Sequence, residues 1–237
     1  MRITPSRLVY SFVVTFLVVG FIKMLQYQSG TSNQDCANSQ NSPGDQQRLD
    51  FLAGRVHKVL EILQSRHFLC YDSLWASLYN EGPRNWDKSV EFCIIGDELT
   101  RQDEGFVNRL FKTQDLILEY DHLDGSYWVK LSPEARHSGV PPVQPGSLDV
   151  SARLIQFQHS QSSPTVMRKI GLKRALLPED CDNPLLECFP NRLALDPLPQ
   201  IKYGSHSLPG PREGIEIQKY HYPDDWWLQR KIPPSCS

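Results

Sequence analysis

The stretch "GPRNWDKSVEFCIIGDE", residues 82–98, decides the predicted fold because it joins a turn to a buried strand. Gly82 and Pro83 form a dipeptide that is typical of turns. The run "SVEFCIIG" at 89–96 is short and rich in β-branched and aromatic side chains, which predicts a strand. Trp86 and Asp87 stand directly ahead of this strand, and Glu91 lies within it. These carboxylates suit either a metal site or the acidic edge of a buried strand.

Helices and further strands are predicted on both sides of this strand. Residues 49–67 place apolar side chains three and four positions apart, which is typical of an amphipathic helix. Residues 68–79 predict a buried strand followed by a turn into a short helix. A second helix is predicted after Thr100 or Asp103 as its N-cap. Three more strands are predicted at 116–122, 126–132 and 148–158, the first two as a hairpin. The sequence therefore predicts an α/β domain with a mixed sheet and flanking helices.

The N-terminal region carries an uncharged apolar run at residues 8–22, preceded by Arg2 and Arg7 and closed by Lys23. With the next few residues, its length suits a tilted helix in a thin bilayer. We therefore predict one transmembrane helix as a signal anchor at 8–27, with a cleaved signal peptide as the alternative. The arginines place the N-terminus in the cytoplasm, so the protein is predicted to be single-pass type II in the ER or Golgi membrane. The segments predicted around the anchor are a cytoplasmic tail at 1–7, a luminal stem at 28–47 and a luminal domain at 48–237.

Composition limits the classes of protein to consider. A chain of 237 residues, 40% of them hydrophobic, can bury one good core. The formal net charge is -2, and no stripe of Lys and Arg side chains is visible, so no nucleic-acid partner is expected. No Gly-x-Ser-x-Gly, Rossmann or Walker motif occurs, which argues against hydrolase, dehydrogenase and NTPase functions.

Six cysteines are expected to pair in an oxidising lumen. Cys181 is predicted to pair with either Cys188 or Cys236, and the spacing leaves both open. Cys70 and Cys93 lie in apolar runs and are either bridged or buried thiols. A zinc site is the alternative use of these residues, formed by Cys181, Cys188, His206 and His221.

Residues 72–92, "DSLWASLYNEGPRNWDKSVEF", resemble the signature of the LicD/fukutin-type family of phosphoryl-substituted transferases. That signature reads roughly Gly-Thr-Leu-Leu-Gly-Ala-Ile-Arg-His-x-Gly-x-Ile-Pro-Trp-Asp-x-Asp-x-Asp. Ser73, Trp86 and Asp87 fall where its Thr, Trp and first Asp stand. The C-terminal "YPDDWW" at 222–227 is similar to the Tyr-x-x-x-Trp ending of these domains.

The resemblance implies a nucleotidyltransferase-like core and a metal-dependent transfer reaction. Such enzymes move phosphorylcholine or pentitol phosphate from a CDP-linked donor to a glycan or glycoprotein acceptor, with Mg²⁺ or Mn²⁺ bridging the donor's phosphates. The residue roles that the resemblance implies are catalysis by Asp87 and Glu91, metal binding by Asp87, Ser89 and Glu91, and substrate binding by Ser73, Trp86 and Asp149.

The departures from the signature leave the activity open. Ser89 stands where the middle aspartate would be and supplies no negative charge. On a straight strand, alternate residues are about 6.6 Å apart, so Asp87 and Glu91 would be about 13 Å apart and unable to share one ion. Either the ligands have shifted to Asp97 or Asp149, or the donor alone carries the ion, or catalysis has been lost. The competing hypothesis is therefore a noncatalytic LicD-like accessory or binding protein of the secretory pathway.

Two C-terminal groups have weaker functional interpretations. A basic cluster, Lys169, Lys173 and Arg174, is predicted either to contact donor phosphates or to form a solvated face. An acidic and aromatic cluster, Asp224, Asp225, Trp226 and Trp227, is predicted either to hold a sugar or to form a buried latch.

Overall fold

The computed structural model describes residues 43–133, 139, 141, 149–178 and 181–227, and these described residues belong to one compact unit. The α-helices are α1 (Pro43–Ile62), α2 (Tyr71–Asn80), α3 (Glu98–Arg101), α4 (Glu104–Thr113) and α5 (Gly214–His221). The strands are β1 (Arg66–Leu69), β2 (Ser89–Ile95), β3 (Leu116–Asp121), β4 (Ser126–Leu131), β5 (Ser151–His159), β6 (Val166–Lys169), β7 (Phe189–Pro190), β8 (Gln200–Tyr203) and β9 (His206–Pro209). The described residues also include three short 3-10 helices, at Leu172–Arg174, Pro184–Leu186 and Asn191–Ala194.

The main sheet is mixed and has the strand order β1-β2-β5-β4-β3, with β6 paired to the end of β5 and β7 paired to β6. Strands β2 and β5 run parallel, whereas the other pairs run antiparallel. Strands β8 and β9 form a separate hairpin. The predicted β3–β4 hairpin is confirmed, with Asp121 paired to Ser126 across its turn. The predicted N-cap of the second helix is also confirmed, because the Asp103 carboxylate accepts a hydrogen bond from the Phe106 N–H at 2.8 Å.

The two faces of the sheet carry different cores because side chains alternate along a strand. Val90 and Phe92 of β2 pack with the apolar side of α1 and with α4, on what we call the α1 face. Cys93 and Ile95 pack on the opposite side with Leu74 of α2, on the α2 face. Glu91 has the parity of the α2 face, so this carboxylate lies among residues that pack against α2.

The predicted fold class needs a correction at its N-terminal end. Within residues 43–227 as far as the structure describes them, no helix has the length and apolarity required to cross a bilayer. The twenty-residue α1 is amphipathic, since Arg55 and Lys58 interrupt its leucines, and it buries one side in the domain core. The predicted anchor at 8–27 lies outside the described residues. The described residues form an α/β domain with a mixed sheet and packed helices.

Two disulfides link cysteines in the described part of the chain. Cys70 pairs with Cys93, which ties the start of α2 to β2, and Cys181 pairs with Cys188. The Cys181–Cys188 alternative is therefore confirmed, whereas Cys236 lies outside the described residues. The predicted zinc site is wrong, because disulfide sulfurs are no longer thiolate ligands. Both bridges are compatible with an oxidising secretory compartment.

Candidate functional site

The residues that carry the sequence resemblance converge at one end of β2. Asp72 lies in the first turn of α2, Asp87 closes a turn that begins at Arg84, and Glu91 is the third residue of β2. We call Asp72, Asp87 and Glu91 the acidic cluster. Arg84 lies among them, bound to Asp87 and 3.5 Å from the Asp72 carboxylate. The site is therefore a cluster of three carboxylates, of which Asp72 and Asp87 pair with one guanidinium.

Asp87 accepts several hydrogen bonds from Arg84. The Arg84 guanidinium donates to Asp87 Oδ1 from Nε at 2.9 Å and from Nη2 at 2.7 Å, while the Arg84 backbone N–H donates to Oδ2 at 2.8 Å. The Asp87 N–H donates back to the Arg84 carbonyl, so the pair spans one tight turn. Both side chains are 4% exposed. Burial alone would lower the pKa of Arg84, but the hydrogen bonds and charge of Asp87 outweigh it and raise that pKa.

Glu91 caps helix α2 from the neighbouring strand. Its Oε2 accepts a hydrogen bond from the Asp72 N–H at 3.0 Å, one of the helix N–H groups that have no partner within the helix. Burial, followed by the nearby charge of Asp72, raises the pKa of Glu91 to about 7. The Glu91 carboxyl therefore keeps its proton to a higher pH than an ordinary glutamate does.

The remaining predicted site residues have simpler surroundings. Ser73 is buried, and its Oγ accepts a hydrogen bond from the Glu91 N–H at 2.8 Å, which fastens α2 to β2. Ser89 is half-buried at the start of β2, and Asp149 is exposed shortly before β5. Asp97, the alternative ligand, lies beyond the other end of β2 and pairs with Arg101 at 2.8 Å. The structure thus brings Asp87, Ser73 and Glu91 together and keeps Asp97 apart from them.

The arrangement does not fit the Mg²⁺ or Mn²⁺ ion that the resemblance implies. Both Asp87 oxygens already accept hydrogen bonds from Arg84, and Glu91 Oε2 accepts one from α2. Across the described part of the chain, no three His, Cys, Asp or Glu side chains are grouped so that they could hold a metal ion. Asp87 also precedes β2 in a turn, so the spacing of a straight strand does not apply to it. The cation that pairs with Asp72 and Asp87 is the Arg84 guanidinium and not a metal ion.

Trp86 lies beside this cluster with its ring half-buried, and the Arg84 guanidinium carbon lies 5.1 Å from the ring centroid. We expect Trp86→Ala to lower the free energy of unfolding by about 1–2 kcal/mol, since it removes a cation–π contact and part of a buried ring. Urea unfolding measures this loss. Trp227→Ala, at an exposed tryptophan, is the matched control and should change stability by less than about 0.5 kcal/mol. A loss above about 3 kcal/mol at Trp86 would instead indicate a core ring.

Sequence reasoning missed Arg84, Asp72 and Tyr222 as members of this site. The Tyr222 hydroxyl donates to Asp72 Oδ1 at 3.2 Å and so closes the cluster from the C-terminal side. The sequence does contain one signal for the Arg84–Asp87 contact. These two residues follow Gly82-Pro83 and are three positions apart, so a turn can bring their side chains together. Asp72 and Tyr222 are 150 residues apart, and no local pattern relates them.

The basic cluster is largely buried, so its interpretation as a solvated face is wrong for two of its members. Lys169 Nζ lies 2.7 Å from Glu187, and Arg174 lies 3.2 Å from Asp124. Lys173 is exposed. Although burial raises the pKa of Asp124, the charges of Lys169 and its neighbouring arginines lower it overall. These ions form a structural network inside the domain.

The C-terminal latch uses residues other than the predicted tryptophans. His221 is buried and stacks on Tyr71 with ring centroids 4.0 Å apart, and Tyr222 contacts the same ring edge-on. Trp227 is 45% exposed, and Trp226 is half-buried against it. The two tryptophans are therefore not the buried latch.

Comparison with known proteins gives no independent indication of family. Neither a protein-family model nor a curated protein matches this chain.

Proposed function

We propose that this chain is a noncatalytic, LicD-like accessory or binding protein that acts in glycan modification in the secretory pathway. The observation that carries the proposal is the Arg84–Asp87 pair. The Arg84 guanidinium forms hydrogen bonds with the carboxylate that a transferase of this type would use to bind its metal ion. Chemistry on a diphosphate donor needs a cation that bridges carboxylates and phosphates. Arg84, a fixed side chain three residues before Asp87, cannot play that role because it is already hydrogen-bonded to the Asp87 carboxylate.

Burial makes this pair difficult to replace by a metal ion. Arg84 and Asp87 each have about a twentieth of their side-chain surface exposed, and Arg84 makes several hydrogen bonds to the carboxylate. Binding a divalent ion at Asp87 would require moving the guanidinium and leaving it unpaired in a buried site. Such an unpaired buried charge costs several kcal/mol. The turn that holds the pair therefore favours a site without metal.

The relation to LicD-type proteins is supported by how the resembling stretch is built. Residues 72–92 form most of α2, the turn at Arg84–Asp87 and the first half of β2, so the motif positions meet at one place. The two disulfides support a luminal location, which we place in the ER or Golgi. The partner implied by this function is a glycan or glycoprotein, bound without transfer chemistry.

Calorimetric titration of the full chain tests the proposal. CDP-choline and CDP-ribitol are titrated at millimolar concentration with Mg²⁺, with Mn²⁺ and with EDTA. We expect no metal-dependent binding. The proposal is overturned if either donor binds in a metal-dependent way that Asp87→Ala abolishes and Asp97→Ala retains, because the protein would then have the donor site of an active transferase. Asp97 is a matched control, since its carboxylate lies at the opposite end of β2.

A further inference from the structure

Strand β5 changes its neighbour partway along the sheet, and this change opens a cleft. On one side β5 pairs with β4 as far as Ile155, which lies opposite Ser126, and from Phe157 onward it pairs with β6. The β3–β4 turn and the chain leaving β6 meet at the break, where the Leu172 N–H donates to the His122 carbonyl at 3.1 Å. The backbones approach so closely that a Cβ on Gly125 would lie 2.6 Å from Gly171 Cα. The cleft is thus bordered by a fixed backbone contact.

Two adjoining cavities occupy this region, with volumes of about 310 and 440 Å³. Both are lined by Tyr120 and His122, so they are two lobes of one cleft, which we call the Tyr120 cleft. The first lobe lies between the β3–β4 hairpin and α3–α4, and the second lies between the hairpin and the end of β6. Their volumes fall in the range of small-molecule sites.

Aromatic rings form the centre of the Tyr120 cleft. Tyr120 is 38% exposed, and its ring centroid lies 4.6 Å from that of Tyr127. His122 contacts Tyr120 edge-on at 4.7 Å. Tyr120 and Tyr127 are directly paired residues of neighbouring strands, so their rings are held by the sheet rather than by a loop. The cleft therefore presents an aromatic surface on a rigid support.

Planar polar side chains surround these rings. Gln102 and Asn108 line the first lobe, and Gln158 and Arg168 line the second. Among the described lining residues, Glu104 supplies one negative charge and Arg168 one positive charge. The charge of Arg174 is already paired with Asp124. This nearly balanced charge gives little attraction to a polyphosphate. It suits a neutral ligand that carries many hydroxyl groups.

A buried amide lies on β5, the strand that contributes Gln158 to the cleft, and on the same face of the sheet. Gln156 stands two residues before Gln158 on β5, so their side chains share a face. Gln156 is fully buried, and neither side-chain amide atom has a hydrogen-bond partner among the described residues. Buried amides without partners are uncommon. Glu91 has the opposite parity, which places the acidic cluster on the other face of the sheet.

We infer that the Tyr120 cleft binds a neutral oligosaccharide, with one pyranose ring packed against Tyr120. A pyranose combines an apolar C–H face with a rim of hydroxyls, so it matches an aromatic ring surrounded by amide, carboxylate and guanidinium groups. The inference rests on the proposed function, since it names the class of glycan partner that an accessory protein would bind. It does not use the acidic cluster or any metal ion.

Binding of chitotriose, xylotriose and mannotriose to the full chain tests this inference, by saturation-transfer NMR and calorimetry in EDTA. We expect at least one of these probes to bind, Tyr120→Ala to weaken that binding about tenfold or more, and Tyr120→Phe to retain it. Tyr79→Ala is the matched control, because Tyr79 is an exposed tyrosine on α2 that does not line the cleft. Near-UV circular dichroism verifies that each variant is folded.

The inference is overturned if no probe binds, if Tyr120→Ala binds as the wild type does, or if Tyr79→Ala weakens binding as much. If Tyr120→Ala fails to fold, Gln158→Ala replaces it and must weaken binding. CDP without metal is titrated in parallel, and displacement of the sugar by CDP would identify a nucleotide site instead. Metal-dependent binding of a CDP-linked donor would overturn the proposed function alone, because the sugar titration is carried out in chelator.

Discussion

Arg84→Met is expected to lower the free energy of unfolding by about 3–5 kcal/mol, the range for breaking a buried ion pair by removing one partner. The substitution keeps a long apolar side chain but leaves the Asp87 carboxylate, which is buried in the wild type, without its guanidinium partner. Burial already raises the pKa of Asp87, and removing the guanidinium removes the interactions that oppose this effect. Urea unfolding monitored by tryptophan fluorescence at pH 7 measures the loss.

A second substitution separates the charge effect from the loss of packing. Asp87→Asn in the Arg84→Met background removes the buried charge. The asparagine keeps an oxygen that can accept a hydrogen bond from the backbone N–H of residue 84, which donates to Asp87 Oδ2 at 2.8 Å in the wild type. The double variant should therefore regain a large part of the lost stability. Lys202→Met is the matched control, because it breaks an exposed pair with Glu81 and should cost about 1 kcal/mol or less. Equal losses in the Arg84 and Lys202 variants would contradict the assignment of Arg84–Asp87 as a buried pair.

The dependence on pH gives this prediction a further check. In Arg84→Met, the unpaired Asp87 carboxyl should take up a proton at a higher pH than in the wild type. The deficit relative to the wild type should therefore shrink as the solution is acidified and Asp87 becomes neutral. A deficit that stays constant from pH 7 to pH 4 would assign the loss to packing against Trp86 rather than to charge.

The sequence was sufficient for the elements around this site because their signals are local. Residues 89–95 are strongly β-forming, and the Asp124-Gly125 turn separates two strands of equal length, so β2 and the β3–β4 hairpin were predicted correctly. Helix α1 was recognised by its apolar spacing, although it begins at Pro43 rather than near residue 49. Periodicity and turn chemistry do not depend on distant contacts.

The chemistry of the site was less accessible because it depends on pairings that local patterns do not encode. The predicted separation of Asp87 and Glu91 rests on the spacing of a straight strand, whereas a turn from Arg84 to Asp87 and the Arg84 side chain fix Asp87 ahead of β2. The capping of α2 by Glu91 joins two elements across the α2 face. The Tyr120 cleft arises where β5 exchanges β4 for β6, a feature of sheet order that periodicity along one strand cannot reveal.

Glu91→Gln is expected to stabilise the protein at alkaline pH by about 3 kcal/mol. The pKa of Glu91 is about 7 in the folded protein and 4.5 for an ordinary glutamate, a difference equivalent to about 3 kcal/mol. Between these two pH values the folded chain binds more protons than the unfolded chain, so wild-type stability falls as pH rises from about 4.5 through 7. Glutamine removes this titration and keeps an oxygen for the Asp72 N–H.

Unfolding curves at pH 4 and pH 8 therefore distinguish the two proteins. At pH 4 Glu91 is protonated in the folded wild type, so Glu91→Gln should have nearly the same stability, and the advantage should appear by pH 8. Glu119→Gln, at an exposed strand position paired with Lys130, should show little difference at either pH. If the wild type is instead the more stable protein at pH 8, and Mg²⁺ increases its advantage, then the ionised Glu91 is compensated by a bound cation. That result would contradict both the raised pKa and the metal-free acidic cluster, because a nearby divalent ion favours the carboxylate and lowers its pKa.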